Sequence, residues 1–274
     1  VASTASESDP AVVATVDSEQ TAWARKLFSR SPLKQRKFRM LCRLLGSPSG
    51  RVCLDVGSDN GVISLLLREL GGEWSSCDLD EGTVNSIRRL VGERVEQIDG
   101  RVLPYKDAQF DAIAIVDLLE HIETDVQFVN ECYRTLRPGG MLIVNVPNPK
   151  QGLWRRLRYS LGQTDEVHGH LRPGYTLKQL RELLGDQFKV DQVYSYSRIF
   201  SEVIDTVITF GVDLLKGGSH GKKGRIVGDG DLSKLKKSFA MYNTIYPFVW
   251  FMAKLDDCVP FLHGNMLIVR AKKQ

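Results

Sequence analysis

Two glycines and an acid form a candidate nucleotide site in the first half of the chain. Gly57 and Gly61 lie in a turn between an apolar strand and an apolar helix, and Asp78 ends the next strand. Glycines let the backbone turn sharply and approach a ligand closely, and the first N–H groups of the helix point at the turn. An acid at a strand tip about 20 residues past such a turn binds both hydroxyls of a ribose. This spacing therefore predicts a nucleotide cradle.

The residues inside the turn decide which nucleotide is favoured. A dinucleotide site has the pattern Gly-x-Gly-x-x-Gly, whereas this turn reads Gly57-Ser58-Asp59-Asn60-Gly61. Asp59 replaces the middle glycine, and its charge would repel a pyrophosphate by about 2–4 kcal/mol in a partly screened site. S-adenosylmethionine carries an ammonium and a sulfonium, so a carboxylate in the turn favours this molecule over a dinucleotide.

The chain resembles the class I S-adenosylmethionine-dependent methyltransferases through motifs that occur in the family's order. The motifs are Asp55-Val56-Gly57 through Gly61, Asp78, Gln97-Ile98-Asp99-Gly100, Leu103-Pro104-Tyr105 with Phe110-Asp111, Asp117-Leu118-Leu119-Glu120-His121, and Leu136-Arg137-Pro138-Gly139-Gly140. The resemblance covers roughly residues 45–196 and is strongest toward the branch that methylates quinones and other small molecules. Asp59 departs from the family pattern, although a similar Gly-Ser-Asp turn occurs in one family of bacterial tRNA adenine methyltransferases.

The resemblance implies S-adenosylmethionine as the cofactor and gives roles to the residues of the cradle. Gly57 and Gly61 would allow the backbone to approach the cofactor. Asp55 would reach the methionine ammonium directly or through water, and Asp78 would accept hydrogen bonds from the ribose hydroxyls.

The resemblance also implies an adenine site. Leu79 would cover one face of the ring, and Asp99 would accept a hydrogen bond from the adenine amino group; the alternative is that Asp99 is only the turn residue before Gly100. The full predicted cofactor set is Asp55, Gly57, Ser58, Asp59, Asn60, Gly61, Asp78, Leu79, Asp99, Gly100, Asp117 and Leu118.

Three histidines are candidates for the proton transfer that methylation of oxygen or nitrogen requires. Otherwise the protein has to place the acceptor in line with the sulfonium. His168 and His170 lie between the fifth strand and the next helix, where they act as a base or substrate anchor, or only hold the loop. For His121, the frequent Glu-His pairs of the family favour a structural role over catalysis. A His-x-His pair can bind metal, but no third ligand is evident, so no metal is predicted.

Strands and helices alternate after residue 50, which predicts a parallel sheet covered on both faces. In such a sheet, ligands bind at the carboxyl ends of the strands. The fold class is therefore α/β, Rossmann-like and doubly wound; the resemblance implies seven mostly parallel strands with the last one antiparallel. The predicted strands are 51–56, 73–78, 94–98, 111–116, 140–146, 188–196 and 265–271, and the predicted helices are 61–70, 81–91, 123–136 and 176–184.

An insertion before the last strand is the expected site of substrate choice. The family joins its last two strands by a short connection, but about 68 residues intervene here. Ser201 to Lys216 has a helical apolar face, a glycine- and lysine-rich link follows, and Tyr242 to Leu255 is rich in aromatics. The aromatic part would pack on the core, form a lid over an apolar substrate or contact a membrane. The predicted divisions are a flexible tail 1–20, a basic helical segment 21–46, the cofactor-binding core 47–196, a helical apolar insertion 197–262 and the last core strand 263–274.

Bases are concentrated near the start of the chain. Residues 21–46 contain eight bases and no acid, although the net charge of the chain is only +4. Ser31-Pro32 predicts the start of a helix, with Leu41 and Leu44 on its buried face and the bases on its outer face. Such a face is either simply solvated or binds anionic lipid or RNA.

Composition predicts a cytoplasmic protein and leaves membrane association open as an alternative. No apolar run reaches the ~18 residues of a membrane span, and residues 1–20 resemble neither a signal peptide nor a transit peptide. The five cysteines show no Cys-x-x-Cys pairing, which favours reduced thiols.

The leading expectation is methyl transfer to a small, largely apolar or lipid-linked acceptor. RNA (tRNA) methylation is the alternative, motivated by the basic helix and the Gly-Ser-Asp turn, but no separate RNA-binding module and no Asn-Pro-Pro-Tyr after the fourth strand support it. A cofactor-binding protein without methyl transfer is a third reading, for which Asp59 is the motive. The sequence does not indicate whether oxygen, nitrogen or carbon is methylated, or the oligomeric state.

Overall fold

The computed structural model describes residues 18–58, 60–149, 171–204, 206, 232–259 and 264–274. A single sheet of seven strands organises these residues. The strands are β1 (Val52–Val56), β2 (Glu73–Asp78), β3 (Val95–Gln97), β4 (Phe110–Val116), β5 (Leu136–Pro147), β6 (Phe188–Tyr196) and β7 (Met266–Lys273).

The strand order confirms the predicted topology. It is β3-β2-β1-β4-β5-β7-β6, and only β7 runs antiparallel, pairing with β5 on one side and β6 on the other. The carboxyl ends of β1, β2, β4, β5 and β6 therefore lie along one edge of the sheet, which we call the carboxyl edge. Ligands of open α/β sheets bind at this edge.

Seven α-helices with complete bounds accompany the sheet in the described ranges, and local sequence signals start several of them. Pro32 occupies the first turn of one helix, Asp80 caps another by accepting the Thr83 N–H at 3.0 Å, and Thr176 with Gln179 forms a capping box. The helices are α1 (Ser18–Ser29), α2 (Pro32–Leu45), α3 (Val62–Glu69), α4 (Glu81–Val91), α5 (Asp125–Thr135), α6 (Leu177–Leu184) and α7 (Leu232–Leu255).

Both faces of the sheet are covered, as the doubly wound prediction requires. On one face Phe128 of α5 and Leu180 of α6 pack on the central strands. On the other face Leu44 of α2 and Leu67 of α3 do so. These side chains are fully buried, so the sheet is held rigidly and its carboxyl edge is fixed in place.

Two predicted boundaries were wrong. Helix α1 begins at Ser18, inside the segment that was predicted as a flexible tail. The stretch Leu136 to Gly140 was predicted to end a helix before the fifth strand, but it already belongs to β5: Leu136 pairs with Phe110, and regular pairing resumes at Met141 after a register shift. An irregular strand start that contains a proline and two glycines reads as a turn from sequence alone.

The basic helix does not keep all of its bases on the outer face, which corrects the sequence interpretation. The Arg36 side chain is buried and donates to Asp256 Oδ2 at 2.8 Å and to Asp257 Oδ1 at 2.9 Å. Lys37 pairs with Asp117 at the end of β4. Both bases point inward because acids from distant parts of the chain meet α2 there.

The insertion leaves and rejoins the sheet at the carboxyl edge. The Asn265 N–H donates to the Ser197 carbonyl at 2.8 Å, and a side chain at Gly264 would lie 2.0 Å from the Tyr196 carbonyl oxygen. Residues 199–204 are helical, and α7 follows at Leu232. The glycine- and lysine-rich link between them lies outside the described residues. We call α2, residues 199–204, α7 and the short 3₁₀ helix Asp256–Cys258 the helical cover.

Asp256 holds the parts of the helical cover together. Its carboxylate, which is fully buried, accepts the Arg36 guanidinium and the backbone N–H groups of Arg198 at 2.7 Å and Phe200 at 3.0 Å. A buried charge with this many donors is compensated. Arg36 and Asp256 are 220 residues apart in sequence. Their contact therefore joins the basic segment and the insertion in one structural unit.

Candidate active site

The turn after β1 has the shape of a cradle. Gly57 and Gly61 both have φ of +82°, a conformation that favours glycine. A Cβ at Gly57 would lie 2.6 Å from Leu118 Cβ and from the Val116 carbonyl oxygen, and one at Gly61 would lie 2.9 Å from Ile87 Cα. No side chain larger than hydrogen fits at either position, so bare backbone lines the turn.

Asp55 supports this turn from below. Its side chain is fully buried and accepts hydrogen bonds from the hydroxyls of Ser58, Ser64 at 2.5 Å and Ser76 at 3.0 Å. Burial raises the pKa of Asp55, and the three hydroxyls partly oppose this. These contacts occupy both carboxylate oxygens of Asp55, and its reach to the ammonium, directly or through water, stays a prediction. Ser64 and Ser76 were missed because they lie on a helix and a neighbouring strand.

The helix that follows the turn directs its first N–H groups at the cradle. Gly61, the N-cap of α3, has no side chain with which to cap this end, and the first N–H groups suit an anionic group such as a carboxylate. The buried Oδ1 atom of Asn60 has no hydrogen-bond partner among the described residues. The third turn residue, Asp59, lies outside the described residues.

Asp78 lies at the carboxyl end of β2 and is only 6% exposed. Burial raises its pKa to about 7, and the backbone N–H groups of Leu79 and of Asp80, which donates to Asp78 Oδ1 at 3.2 Å, work against this rise. A buried carboxylate is stabilised by further donors, such as two ribose hydroxyls. Its position and chemistry fit the predicted ribose role.

Leu79 and Gly100 face each other beside Asp78. A Cβ at Gly100 would lie 3.2 Å from Leu79 Cδ2 and 3.4 Å from Ile122 Cγ1. The loops after β2 and β3 and the segment after β4 thus pack against one another beside Asp78. Contact of Leu79 with an adenine face stays a prediction.

Asp99 has the geometry of a turn residue. Its Oδ1 accepts the N–H groups of Arg101 at 2.8 Å and Val102 at 3.1 Å, and these bonds lower its pKa. The carboxylate is exposed. This is the alternative that the sequence left open, and contact with an adenine amino group stays a prediction.

Asp117 and Leu118 connect the cradle to a second polar group. Leu118 packs against Gly57, and Asp117 just before it has φ of +51°, a conformation that is uncommon for non-glycine residues. The Asp117 carboxylate accepts from Lys37 of α2 and from the Asn145 amide of β5. The Tyr196 hydroxyl donates to Asn145 Oδ1 at 2.5 Å.

Lys37, Asn145 and Tyr196 were all missed by sequence reasoning. They come from a helix and two strands that share no motif, and only the tertiary structure brings them together.

The predicted histidines are only partly placed. His121 lies half-buried at the end of a 3₁₀ helix, and its backbone N–H donates to the Leu118 carbonyl at 2.9 Å; the structural role of its side chain stays a prediction. His168 and His170 lie outside the described residues. The chain is described again from Leu171, whose N–H donates to the Glu120 carbonyl at 3.1 Å, so the loop with both histidines ends beside the segment after β4.

Glu120 is a buried acid next to Asp117. It is 1% exposed, and its Oε2 atom has no hydrogen-bond partner within the described parts of the chain. Burial and the negative charge of Asp117 raise its pKa to about 8, while Lys37 opposes the rise. In the same ranges no group of three or more His, Cys, Asp or Glu residues could hold a metal ion.

Comparison with known proteins identifies the core. Residues 54–144 match the family model described as a methyltransferase domain. This match and the relatives support a domain of the class I S-adenosylmethionine-dependent methyltransferase type. S-adenosylmethionine is the cofactor of that family, and the bare backbone at Gly57 and Gly61, the N-terminus of α3 and the buried Asp78 carboxylate fit it.

Curated relatives of this methyltransferase domain align with the chain over only part of their own length. A Mycolicibacterium smegmatis protein named "Probable S-adenosylmethionine-dependent methyltransferase" is 31% identical over 144 residues, which are 52% of this chain and 53% of that protein. A ubiquinone biosynthesis O-methyltransferase of Xylella fastidiosa is 36% identical over 109 residues, covering 37% of this chain and 44% of that protein. The chain thus spans about half the length of these relatives.

Solved structures share the methyltransferase fold at low sequence identity. A methyltransferase candidate from Bacillus halodurans superposes with a TM-score of 0.57 at 16% identity, covering 87% of this chain and 99% of that one. The cyclase SpnF superposes with a TM-score of 0.55 at 19% identity, covering 88% and 80%. These likenesses concern the fold alone, and the second is named for a reaction other than methyl transfer.

Proposed function

We propose that this protein transfers the methyl group of S-adenosylmethionine to a hydroxyl of a small, largely apolar acceptor. The observation that carries the proposal is the cradle of Gly57, Gly61 and Asp78 inside the methyltransferase domain. The choice of a hydroxyl and of an apolar acceptor follows the curated relatives that are named ubiquinone biosynthesis O-methyltransferases. When bound, the cofactor supplies an activated methyl group, and the protein has to hold an acceptor in line with it.

The experiment that tests this proposal is a methyl-transfer assay with labelled S-adenosylmethionine. Catechols and hydroxyquinones with and without a prenyl tail serve as acceptors, and mass spectrometry locates the added methyl group. We expect an O-methyl product, formed faster with the prenylated members. If S-adenosylhomocysteine binds but none of these compounds is methylated, the proposed acceptor class is wrong; bulk tRNA in the same assay tests the alternative substrate.

An exposed aromatic face on α7 supports an acceptor that resides in a membrane. Phe248 is 65% exposed and Phe251 is 54% exposed, while Val249 and Ala253 on the opposite face are buried. Helices that expose aromatic side chains beside bases such as Lys254 are typical of surfaces that bind anionic lipid. No helix in the described ranges is long and apolar enough to cross a bilayer.

Vesicle flotation tests this membrane contact. Wild-type protein should float with vesicles of phosphatidylcholine and phosphatidylglycerol, and the double variant F248S/F251S should stay in the dense fraction. Val102→Ser is the matched control, because Val102 is 53% exposed on a loop far from α7. Equal flotation of the double variant and wild type would remove the membrane from the proposal and leave the methyl-transfer part standing.

The structure supports RNA methylation less well than the sequence does. Arg36 and Lys37 of the basic helix pair with acids of the protein itself, which leaves fewer of its bases for phosphate. The motive for an RNA substrate is reduced accordingly.

A further inference from the structure

The polar group beyond the cradle consists of Lys37, Asp117 and Glu120, of which the resemblance assigns only Asp117 to the cofactor set. It lies at the ends of β4 and β5, where Asp117 accepts from Lys37 of the helical cover and from Asn145. Lys37 reaches this place from α2, 80 residues away in sequence. Packing of α2 on the sheet does not require a lysine at the carboxyl edge, so the position of Lys37 suggests a role in binding or chemistry.

The group is built to stay in place. Tyr196 holds Asn145, Asn145 holds one oxygen of Asp117, and Lys37 holds the other. Asp117 also keeps a backbone conformation that costs energy for a non-glycine residue. The side chains of Lys37 and Asp117 are 19% and 30% exposed, so a small molecule at the carboxyl edge can touch both.

Glu120 adds an unpartnered carboxyl oxygen to this group. Its Oε2 atom is buried and has no hydrogen-bond partner among the described residues, which is costly unless a ligand supplies one. A hydroxyl group, which can both donate and accept, is the simplest partner for the carboxyl group in either protonation state. The same hydroxyl, once it loses its proton, is an anion that the Lys37 ammonium stabilises.

We propose that Lys37, Asp117 and Glu120 form the acceptor-oxygen site, which takes a hydroxyl next to a second oxygen, as in a catechol or a hydroxyquinone. This inference rests on the proposed function. Glu120 is the catalytic base and Lys37 binds the reacting oxygen. Asp117 is a positioning residue that accepts the second hydroxyl or holds Lys37.

The reaction at this site balances as follows. The acceptor O–H proton moves to the Glu120 carboxylate, and the acceptor oxygen forms a bond to the methyl carbon. The bond between that carbon and sulfur breaks, and its electron pair returns to sulfur. The products are the methyl ether and S-adenosylhomocysteine, and Glu120 later releases its proton to water.

The test uses 4-nitrocatechol, whose visible absorbance reports both its ionisation and its methylation. Lys37→Met and Glu120→Gln should each lower kcat/KM by about a hundredfold or more, the scale of a lost general base or charge contact. Lys37→Arg should recover part of the loss. Arg39→Met on the exposed side of α2 and Glu123→Gln on the surface are matched controls and should behave as wild type.

The pH profile separates catalysis from a structural role. The charged neighbours of Glu120 are Asp117 after β4 and Lys37 on α2, and its pKa is raised to about 8. A base must be ionised, so kcat/KM of wild type with unsubstituted catechol, whose own hydroxyls stay protonated in this range, should rise with pH to a plateau above about 8, and Glu120→Gln should lack this rise. Because Glu120 is largely neutral at pH 7, glutamine is close in shape and charge and the variant should fold.

Each outcome of this test supports or overturns the proposed acceptor site. If nitrocatechol is methylated and Lys37→Met and Glu120→Gln keep the wild-type rate and pH profile, the inference is overturned while the proposed function stands. If wild type binds S-adenosylhomocysteine but neither binds nor methylates nitrocatechol, the catechol class is wrong for this site; the acceptor panel then shows separately whether methyl transfer itself occurs.

Discussion

The cofactor side and the acceptor side of the carboxyl edge are assembled in different ways. On the cofactor side, Asp55 contacts serines that are 3, 9 and 21 residues away in sequence. On the acceptor side, Lys37 meets Asp117 across 80 residues, and Arg36 meets Asp256 across 220. One side is a local motif, whereas the other exists only when the helical cover is folded onto the sheet.

This difference indicates that the two sides can fail separately. Changes in the helical cover should affect stability and the acceptor more than the cofactor, and changes in the cradle should do the reverse. The following predictions test this separation, beginning with the largest expected effect.

Arg36→Met should lower the free energy of unfolding by about 3–5 kcal/mol, because it leaves the Asp256 carboxylate buried without its cation. Urea denaturation measures the change. Arg94→Met is the matched control. Arg94 forms an ion pair with Glu73, and the two side chains are 58% and 67% exposed; loss of such an exposed pair changes stability by about 0–1 kcal/mol. S-adenosylhomocysteine should bind the folded Arg36→Met variant within a few-fold of wild type; a large loss would show that the two sides are coupled.

Gly57→Ala should weaken S-adenosylhomocysteine binding by at least about a hundredfold, since overpacking and a strained φ each cost about 1–3 kcal/mol. The added Cβ would lie 2.6 Å from Leu118 Cβ and the Val116 carbonyl oxygen. Calorimetry measures the affinity. Gly139→Ala has a similar φ of +71° but open space around it, so it should bind normally, and equal losses in both variants would mean that backbone strain alone is responsible.

Asp78→Asn should weaken binding of S-adenosylhomocysteine by about tenfold to a hundredfold, because charge-assisted bonds to the ribose are worth about 1.5–3 kcal/mol each. The hydroxyls donate to the ionised carboxylate, whose pKa in the free protein is raised to about 7. Wild-type affinity should therefore increase as the pH rises through 7, and the variant should lose this dependence. Glu96→Gln on the exposed side of β3 is the control; a wild-type affinity that is flat from pH 6 to 8 contradicts the ribose role.

Asp99→Asn should have the smallest effect, about threefold to tenfold in affinity. Asparagine keeps an oxygen for the Arg101 and Val102 N–H groups but replaces the acceptor that would face the adenine amino group. Comparing S-adenosylhomocysteine with S-inosylhomocysteine, which lacks that amino group, sharpens the test. Wild type should prefer the adenine compound and the variant should not; an unchanged preference would leave Asp99 as a turn residue.

The sequence was most informative where structure is local. The alternation of strands and helices, the cradle and the position of Asp78 were readable because each depends on neighbouring residues and on strand ends that must share an edge. The match of residues 54–144 to a methyltransferase domain agrees with this.

The sequence was least informative where a residue's role depends on a distant partner. The bases of α2 looked like a solvated face, because helical periodicity places a side chain on a face but does not show which acids meet that face. Arg36 and Lys37 point inward for that reason. Asp55 was likewise read as a ligand contact, although the hydroxyls that occupy it come from the next helix and strand.

The close approach of Gly264 to Tyr196 has a consequence for how such proteins diversify. The two ends of the insertion meet at one backbone contact, so the chain between them can change in length and composition without moving β6 or β7. Within the proposed function, exchange of this one contiguous segment, together with compensating changes in α2, would alter the surroundings of the proposed acceptor site. The methyl donor site would remain untouched by such an exchange.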